Sequence, residues 1–179
     1  MCGDAAVGKS SLVLRLISGK HANNLPSTLG IDFHVKTVGI DGRNVALQFR
    51  SLCKSYFRRA DGAILVYDVT AERSFLRIRE WIDTINESVE RHIPVVLVGN
   101  KTDLRLREDE GIPTKDGSAL AAVSSFNIFL MDGSNVETTI LTLAREMMAV
   151  EDVEVRAAGV ILSPRTRHSA GCFSKCSKS

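Results

Sequence analysis

Long apolar runs are missing from this chain. The longest, such as Ala63–Tyr67 and Ile93–Val98, span a handful of residues, far short of the roughly 20 that cross a bilayer. No basic segment leads into an apolar stretch at the N-terminus, so no secretory leader is expected. Cysteine is scarce. Cys2, Cys53, Cys172 and Cys176 in 179 residues do not make a disulfide framework, and a reducing, cytoplasmic setting is expected. An excess of one charge is also missing. There are 23 basic and 21 acidic residues, a net charge of +2. That excludes a strongly basic nucleic-acid binder on bulk charge, and no nucleic-acid partner is expected. What is present is ordinary for a globular protein: 44% hydrophobic and 25% charged. The mean hydropathy of +0.03 excludes wholesale disorder. At about 150 residues per domain, the length gives one domain.

Acidic and basic residues interleave as far as Glu154. Beyond it, Arg156, Arg165, Arg167, Lys175 and Lys178 appear with no acid among them. Residues 1–150 are therefore expected to be the folded unit and 151–179 a flexible tail. Within the folded unit, Ile31–Ile40 and Asn44–Phe49 read as strands around Asp41-Gly42, a strong hairpin signal. Gly62–Tyr67 and Pro94–Val98 are continuous apolar runs, as in strands buried on both faces. Between them, Phe75, Ile78, Ile82 and Ile85 space an amphipathic helix over Ala71–Arg91. A second helix is expected over Glu137–Val150, with Val136, Ile140, Leu143 and Met147 on one face. Strand alternating with helix predicts an α/β fold with a mostly parallel sheet covered on both sides. Ligands in such folds bind beyond the carboxyl ends of the strands.

Residues 3–10, Gly3-Asp4-Ala5-Ala6-Val7-Gly8-Lys9-Ser10, read G-x-x-x-x-G-K-[ST]. The glycines let the loop curl so that backbone N–H groups point at a polyphosphate. Lys9 places a point charge on the β- and γ-phosphates, and the Ser10 hydroxyl is a Mg²⁺ ligand. Ser11–Ser18 read as a helix whose positive end faces those phosphates. A chance match in a chain of this length is on the order of one per cent. Taken alone, the same residues also read as a glycine-rich turn before a helix. A phosphate loop should follow a strand, yet only Met1 and Cys2 precede it. The strand that anchors the loop is expected to be absent.

Gly99-Asn100-Lys101-Thr102-Asp103 follows the second buried run directly. The Asp103 carboxylate can accept two hydrogen bonds, from guanine N1–H and the 2-amino group. Adenine offers an acceptor at N1 and no 2-amino group, so the same carboxylate repels it. Asn100 would tie the loop to the base edge or to the phosphate loop. The Lys101 stem would pack over the base plane. The pattern is weak alone and strong downstream of a phosphate loop.

These residues resemble the Ras-superfamily small GTPases of the Rab type. The resemblance runs from about Gly3 to Val150. Thr28-Leu29-Gly30-Ile31-Asp32-Phe33 resembles the first Rab switch segment, and Lys54–Thr70 resembles the stretch that follows the second. Ser74-Phe75 and Trp81 resemble the next helix. Phe57-Arg58-Arg59-Ala60-Asp61-Gly62 is most similar to the large Rabs that carry EF-hands in a longer polypeptide, although no EF-hand loop occurs here. The resemblance implies a three-layer P-loop NTPase fold with the first strand missing. It implies GTP or GDP as ligand, Mg²⁺ as cofactor, and a switch role in vesicle or membrane traffic. Effectors, an exchange factor and a GTPase-activating protein are the implied partners. Nucleotide contacts fall to Gly3, Asp4, Ala5, Ala6, Val7, Gly8, Lys9, Ser10 and Ser11, and to Thr28, Asn100, Lys101, Asp103 and Leu130. Lys9 and Thr28 carry the catalytic roles, and Ser10 and Thr28 hold the metal.

The chain departs from the family in four places. After Val45-Ala46-Leu47-Gln48 the family continues into L-W-D-T-A-G-Q-E-R, whereas this chain reads Phe49-Arg50-Ser51. That segment supplies an Asp toward Mg²⁺, a Gly amide that senses the γ-phosphate and the Gln that orients the attacking water. Impaired hydrolysis is therefore expected. Phe129-Leu130-Met131 stand where the family has S-A-K, leaving the Leu130 amide as the contact to guanine O6. His21 stands where Rabs place the Phe that packs on guanine. Cys176-Ser177-Lys178-Ser179 has the C-a-a-X frame without aliphatic middle residues. Lipid on Cys172 or Cys176 would hold the protein peripherally on intracellular membranes. A basic unmodified tail reads equally well from these residues. Three functions stay open at this point: a Rab-like nucleotide switch, a nucleotide-impaired interaction module that keeps the helical surface, and an ATP-dependent P-loop kinase. Asn100-Lys101-x-Asp103 argues against the last.

Overall fold

The computed structural model describes residues 1–19, 33–50, 54–105, 107, 110–124, 127–128 and 136–157. Thr28, Leu130, Cys172 and Cys176 lie outside the described residues, as do His21 and Cys53.

Strands β1 (Phe33–Ile40) and β2 (Arg43–Arg50) form an antiparallel hairpin, Phe33 opposite Arg50 through to Ile40 opposite Arg43. Its turn is Asp41-Gly42, with φ of 49° and 77°. Two left-handed central residues match the twist of the paired strands, which is why Asp-Gly is favoured there. β3 (Ala63–Asp68) and β4 (Val95–Asn100) pair in parallel, Ala63 opposite Val95 and Asp68 opposite Asn100. β5 (Asn127–Ile128) adds in parallel to β4.

All six residues of β3 are buried. The pleat sends them alternately to two faces. Ile64 and Val66 join Leu12, Val13 and Leu16 of α1 (Lys9–Ser18) and Ile140 and Leu143 of α5 (Val136–Ala157). Leu65 and Tyr67 join Ile78 and Ile85 of α3 (Ile78–Ser88). Each such side chain contributes about 1.5–3 kcal/mol by leaving water. The result is three layers, helix, sheet and helix. α4 (Thr114–Ser124) lies against β4 and β5. No helix among the described residues is long and apolar enough to cross a membrane.

The helix expected over Ala71–Arg91 divides. α2 (Glu72–Leu76) ends at Arg77, and α3 begins at Ile78. The Ser74 hydroxyl accepts the Asp68 N–H at 3.0 Å and donates to Ala71 C=O at 2.7 Å, pinning the short helix to the end of β3. Phe75 meets the Tyr67 ring at 5.0 Å, while Arg77, at φ −78° and ψ −4°, turns the chain so that Ile78 enters the core. α5 runs on past residue 150 to Ala157. Its last turns are tied back to the body, with Asp152 3.7 Å from Arg43 and Glu154 3.4 Å from Arg91.

Before the phosphate loop, Cys2 pairs in parallel with Leu65. Its N–H donates to Ile64 C=O at 2.8 Å, and its C=O accepts Val66 N–H at 2.9 Å. The Met1 nitrogen donates to Arg50 C=O at 2.8 Å. Cys2 thus bridges to β3 and Met1 reaches the end of β2, which places the two residues between those strands. Below them β2 and β3 do not pair. A groove of about 700 Å³ runs there, lined by Met1, Val45, Leu47, Ile64, Leu143 and Met147 among others.

Candidate nucleotide site

The loop from Gly3 to Gly8 connects Cys2 to α1. Left-handed backbone turns it at Gly3 (φ 136°), Ala6 (φ 63°) and Gly8 (φ 96°). A Cβ on Gly3 would sit 2.1 Å from the Val66 carbonyl oxygen, and one on Gly8 would sit 2.2 Å from Asn100 Nδ2. The two motif glycines therefore let the loop lie against β3 and the end of β4. Ala5 and Ala6 are exposed at its crest, and Val7 is buried beneath. Gly8 is the cap position before α1 and offers no side-chain hydrogen bond to it, and no acidic residue stands in the first turn. The positive end of the helix meets the loop with no carboxylate on that turn to offset it, which suits an anion.

Lys9 arches back across the loop. Its Nζ donates to the carbonyls of Gly3 at 2.9 Å and Asp4 at 2.6 Å. Burial pushes the Lys9 ammonium below its ordinary pKa, and the nearby Asp4 and Cys2 partly oppose that. Ser10 and Ser11 follow in the first turn of α1, both half-buried.

The second motif reaches the same place from β4. Asn100 Nδ2 donates to Val7 C=O at 2.8 Å, joining two motifs 93 residues apart. Of the two roles expected for Asn100, this geometry supplies the tie to the phosphate loop. Lys101 adopts φ 63°, and Asp103 is exposed in the short 3-10 turn Thr102–Leu104. The Lys101 ammonium lies 2.7 Å from Asp68 Oδ2. Sequence reasoning missed Asp68, which ends the strand beside β4. Its Oδ1 accepts the Thr70 N–H at 2.9 Å and the Thr70 hydroxyl at 2.6 Å. Burial alone would raise the Asp68 carboxyl. The bonds from Lys101 and Thr70 outweigh it and hold the pKa below the usual carboxylate range. The Asp-Val-Thr spacing of Asp68 and Thr70 was the available signal, a side chain bonding its own backbone two residues on.

Among the described residues, no group of three or more His, Cys, Asp or Glu could hold a metal unaided. Mg²⁺ beside a polyphosphate does not need one, since it is held by one or two protein oxygens with phosphate and water. The sequence motif assigns that oxygen to Ser10, which stands half-buried in the first turn of α1.

Residues 1–149 match the Ras family. The chain belongs to the Ras family. Its relatives in that family include the Ras and EF-hand domain-containing protein homologs of Caenorhabditis briggsae and Caenorhabditis elegans. Each is 60% identical over 188 residues, covering 98% of this chain and 30% of the relative. The Ras-related protein RABE1e of Arabidopsis thaliana is 32% identical, with 100% of this chain and 88% of the relative covered. The chain thus spans less than a third of the length of the nematode relatives and most of the plant one. The 188 aligned positions outnumber the 179 residues of the chain, so at least nine positions of the nematode proteins have no counterpart here. Ras-family proteins in general bind GTP and GDP with Mg²⁺.

Gly8→Ala is expected to damage this site directly. The substitution strains a left-handed residue and pushes a methyl into the Asn100 amide. The expected loss is about 1–3 kcal/mol of stability, read as a fall in thermal midpoint of about 2–4 °C per kcal/mol. A midpoint equal to wild type would contradict the geometry at Gly8.

Proposed function

We propose that this chain is a Rab-like guanine-nucleotide switch of membrane traffic whose own hydrolysis is impaired. The observation that carries the reading is the Asn100–Val7 hydrogen bond. It fixes the guanine-selective motif against the phosphate loop, so one ligand can span both. In this reading Lys9 leaves the carbonyls of Gly3 and Asp4 for the β- and γ-phosphates, and the N–H groups of the loop and the start of α1 receive the remaining oxygens. Asp103 accepts the guanine edge. When bound, Mg²⁺ would neutralise phosphate charge, and Ser10 would hold it from the protein side. The sequence contains no Asp-x-x-Gly to orient water or sense the γ-phosphate. Slow turnover follows from that. The membrane role rests on the resemblance of the sequence to the Rab type, and lipid on Cys172 or Cys176 would provide the anchor from the cytoplasmic side.

The same missing segment favours a second reading, a nucleotide-impaired interaction module. Labelled GTP and ATP, each titrated with Mg²⁺ and again with EDTA, separate the two. GTP-selective binding that weakens on metal removal is the expected result. No binding to either nucleotide would overturn the switch and support the interaction module, and ATP selectivity would overturn both in favour of a P-loop kinase.

A further inference from the structure

A phosphate-binding loop carries a carboxylate at its second position, Asp4, where a negative charge should oppose a polyanion. The structure shows what becomes of it. Asp4 Oδ2 accepts a hydrogen bond from Arg77 Nη1 at 3.2 Å, and Oδ1 accepts one from Trp81 Nε1 at 3.2 Å. Arg77 sits at the joint between α2 and α3, and Trp81 lies one turn further along. The spacing of four puts both on one helix face. Arg77 Nε also donates to Glu80 Oε2 at 3.2 Å, which steadies the guanidinium. The Asp4 side chain is only 14% exposed at this contact. Trp81 is the single tryptophan of the chain, and the nucleotide reading gives it no role.

We infer that Arg77 is a positioning residue for the phosphate loop, with Trp81 as its second anchor. Together they keep the Asp4 carboxylate turned onto α3 and ion-paired, so the loop offers N–H groups and Lys9 to a bound polyphosphate rather than a bare negative charge. The main chain of the same residue holds Lys9, since Asp4 C=O accepts from Nζ at 2.6 Å. Without Arg77, the Trp81 N–H alone restrains an unpaired carboxylate, which can then turn toward the Lys9 ammonium and compete with phosphate for it. This inference rests on the nucleotide reading above.

The test uses the full chain and equilibrium binding of Mg·GTP and Mg·GDP at low and high salt. Arg77→Ala is expected to weaken GTP binding about five- to twenty-fold at low salt, from one uncompensated charge near several phosphate charges. GDP loses less, having less charge. The difference closes at about 1 M salt, where screening acts within a few ångströms. In the Asp4→Asn background the substitution of Arg77 has no such effect, and the double variant matches the Asp4→Asn single variant. Arg77→Gln, which keeps the stem without the charge, serves if the alanine variant folds poorly. Arg77 variants that bind GTP like wild type overturn the inference. So does a double variant weaker than Asp4→Asn, or a loss indifferent to salt. A wild-type chain that binds no nucleotide overturns the nucleotide reading itself, and this inference with it.

Discussion

Lys9→Ala is expected to remove GTP and GDP binding by this chain. The ammonium is the one side-chain cation that the phosphate loop itself supplies, and it already reaches across the loop to the carbonyls of Gly3 and Asp4. Two charge-assisted bonds at about 1.5–3 kcal/mol each correspond to a loss of a hundredfold or more, at about 1.4 kcal/mol per factor of ten. Equilibrium titration with a fluorescent guanine nucleotide measures it. A circular-dichroism melt run alongside shows whether the variant remains folded, because the two carbonyl contacts are lost as well. Affinity retained within threefold in a folded variant would remove Lys9 from its assigned role.

Asp103→Asn is expected to change which base the chain accepts. The carboxylate offers two acceptors to the two donors on the guanine edge. An asparagine offers one acceptor and one donor, and that donor faces the guanine amino group. Xanthine carries a carbonyl oxygen where guanine carries the amino group, so the same amide then bonds it. The expected result is a shift of preference from GTP to xanthosine triphosphate by about two orders of magnitude, since a site that hydrogen-bonds one base edge rejects an edge whose donors and acceptors mismatch it. Competition between the two triphosphates for one labelled probe gives the ratio directly. Asp103 is exposed and stands outside the core, so the substitution leaves packing untouched. Unchanged GTP selectivity would release Asp103 from base recognition.

The elements legible in the sequence are those whose chemistry is local. Asp41-Gly42 announces its hairpin because only certain residues take two successive left-handed conformations. β3 and β4 announce themselves because a strand covered on both faces has no polar alternation to obscure it. β5 escaped notice because two residues carry no period. The break at Arg77 escaped because neither Gly nor Pro marks it; tertiary contacts of Ser74 and Phe75 impose it instead. Within the site, the glycine spacing and Asn100-Lys101-x-Asp103 were readable as motifs. The Lys101–Asp68 ion pair and the Asp4–Arg77–Trp81 contact were not. Each joins residues more than thirty positions apart, and no local pattern records such a meeting.

The groove between β2 and β3 has a mechanical consequence. Two short segments of sheet meet along a seam, bridged at one end by Met1 and Cys2 and spanned by α1 and α5. Lys36 of the hairpin fastens to the Leu16 carbonyl at 2.8 Å, but no ladder joins the hairpin to β3 lower down. What joins the two sides is side-chain packing, with Val38, Ile40, Leu47 and Phe49 of the hairpin buried in one core with Ile64 and Val66 of β3. Burial rather than backbone pairing therefore holds the hairpin, while Gly3 against Val66 and Asn100 on Val7 fix the loop from the other side of the seam.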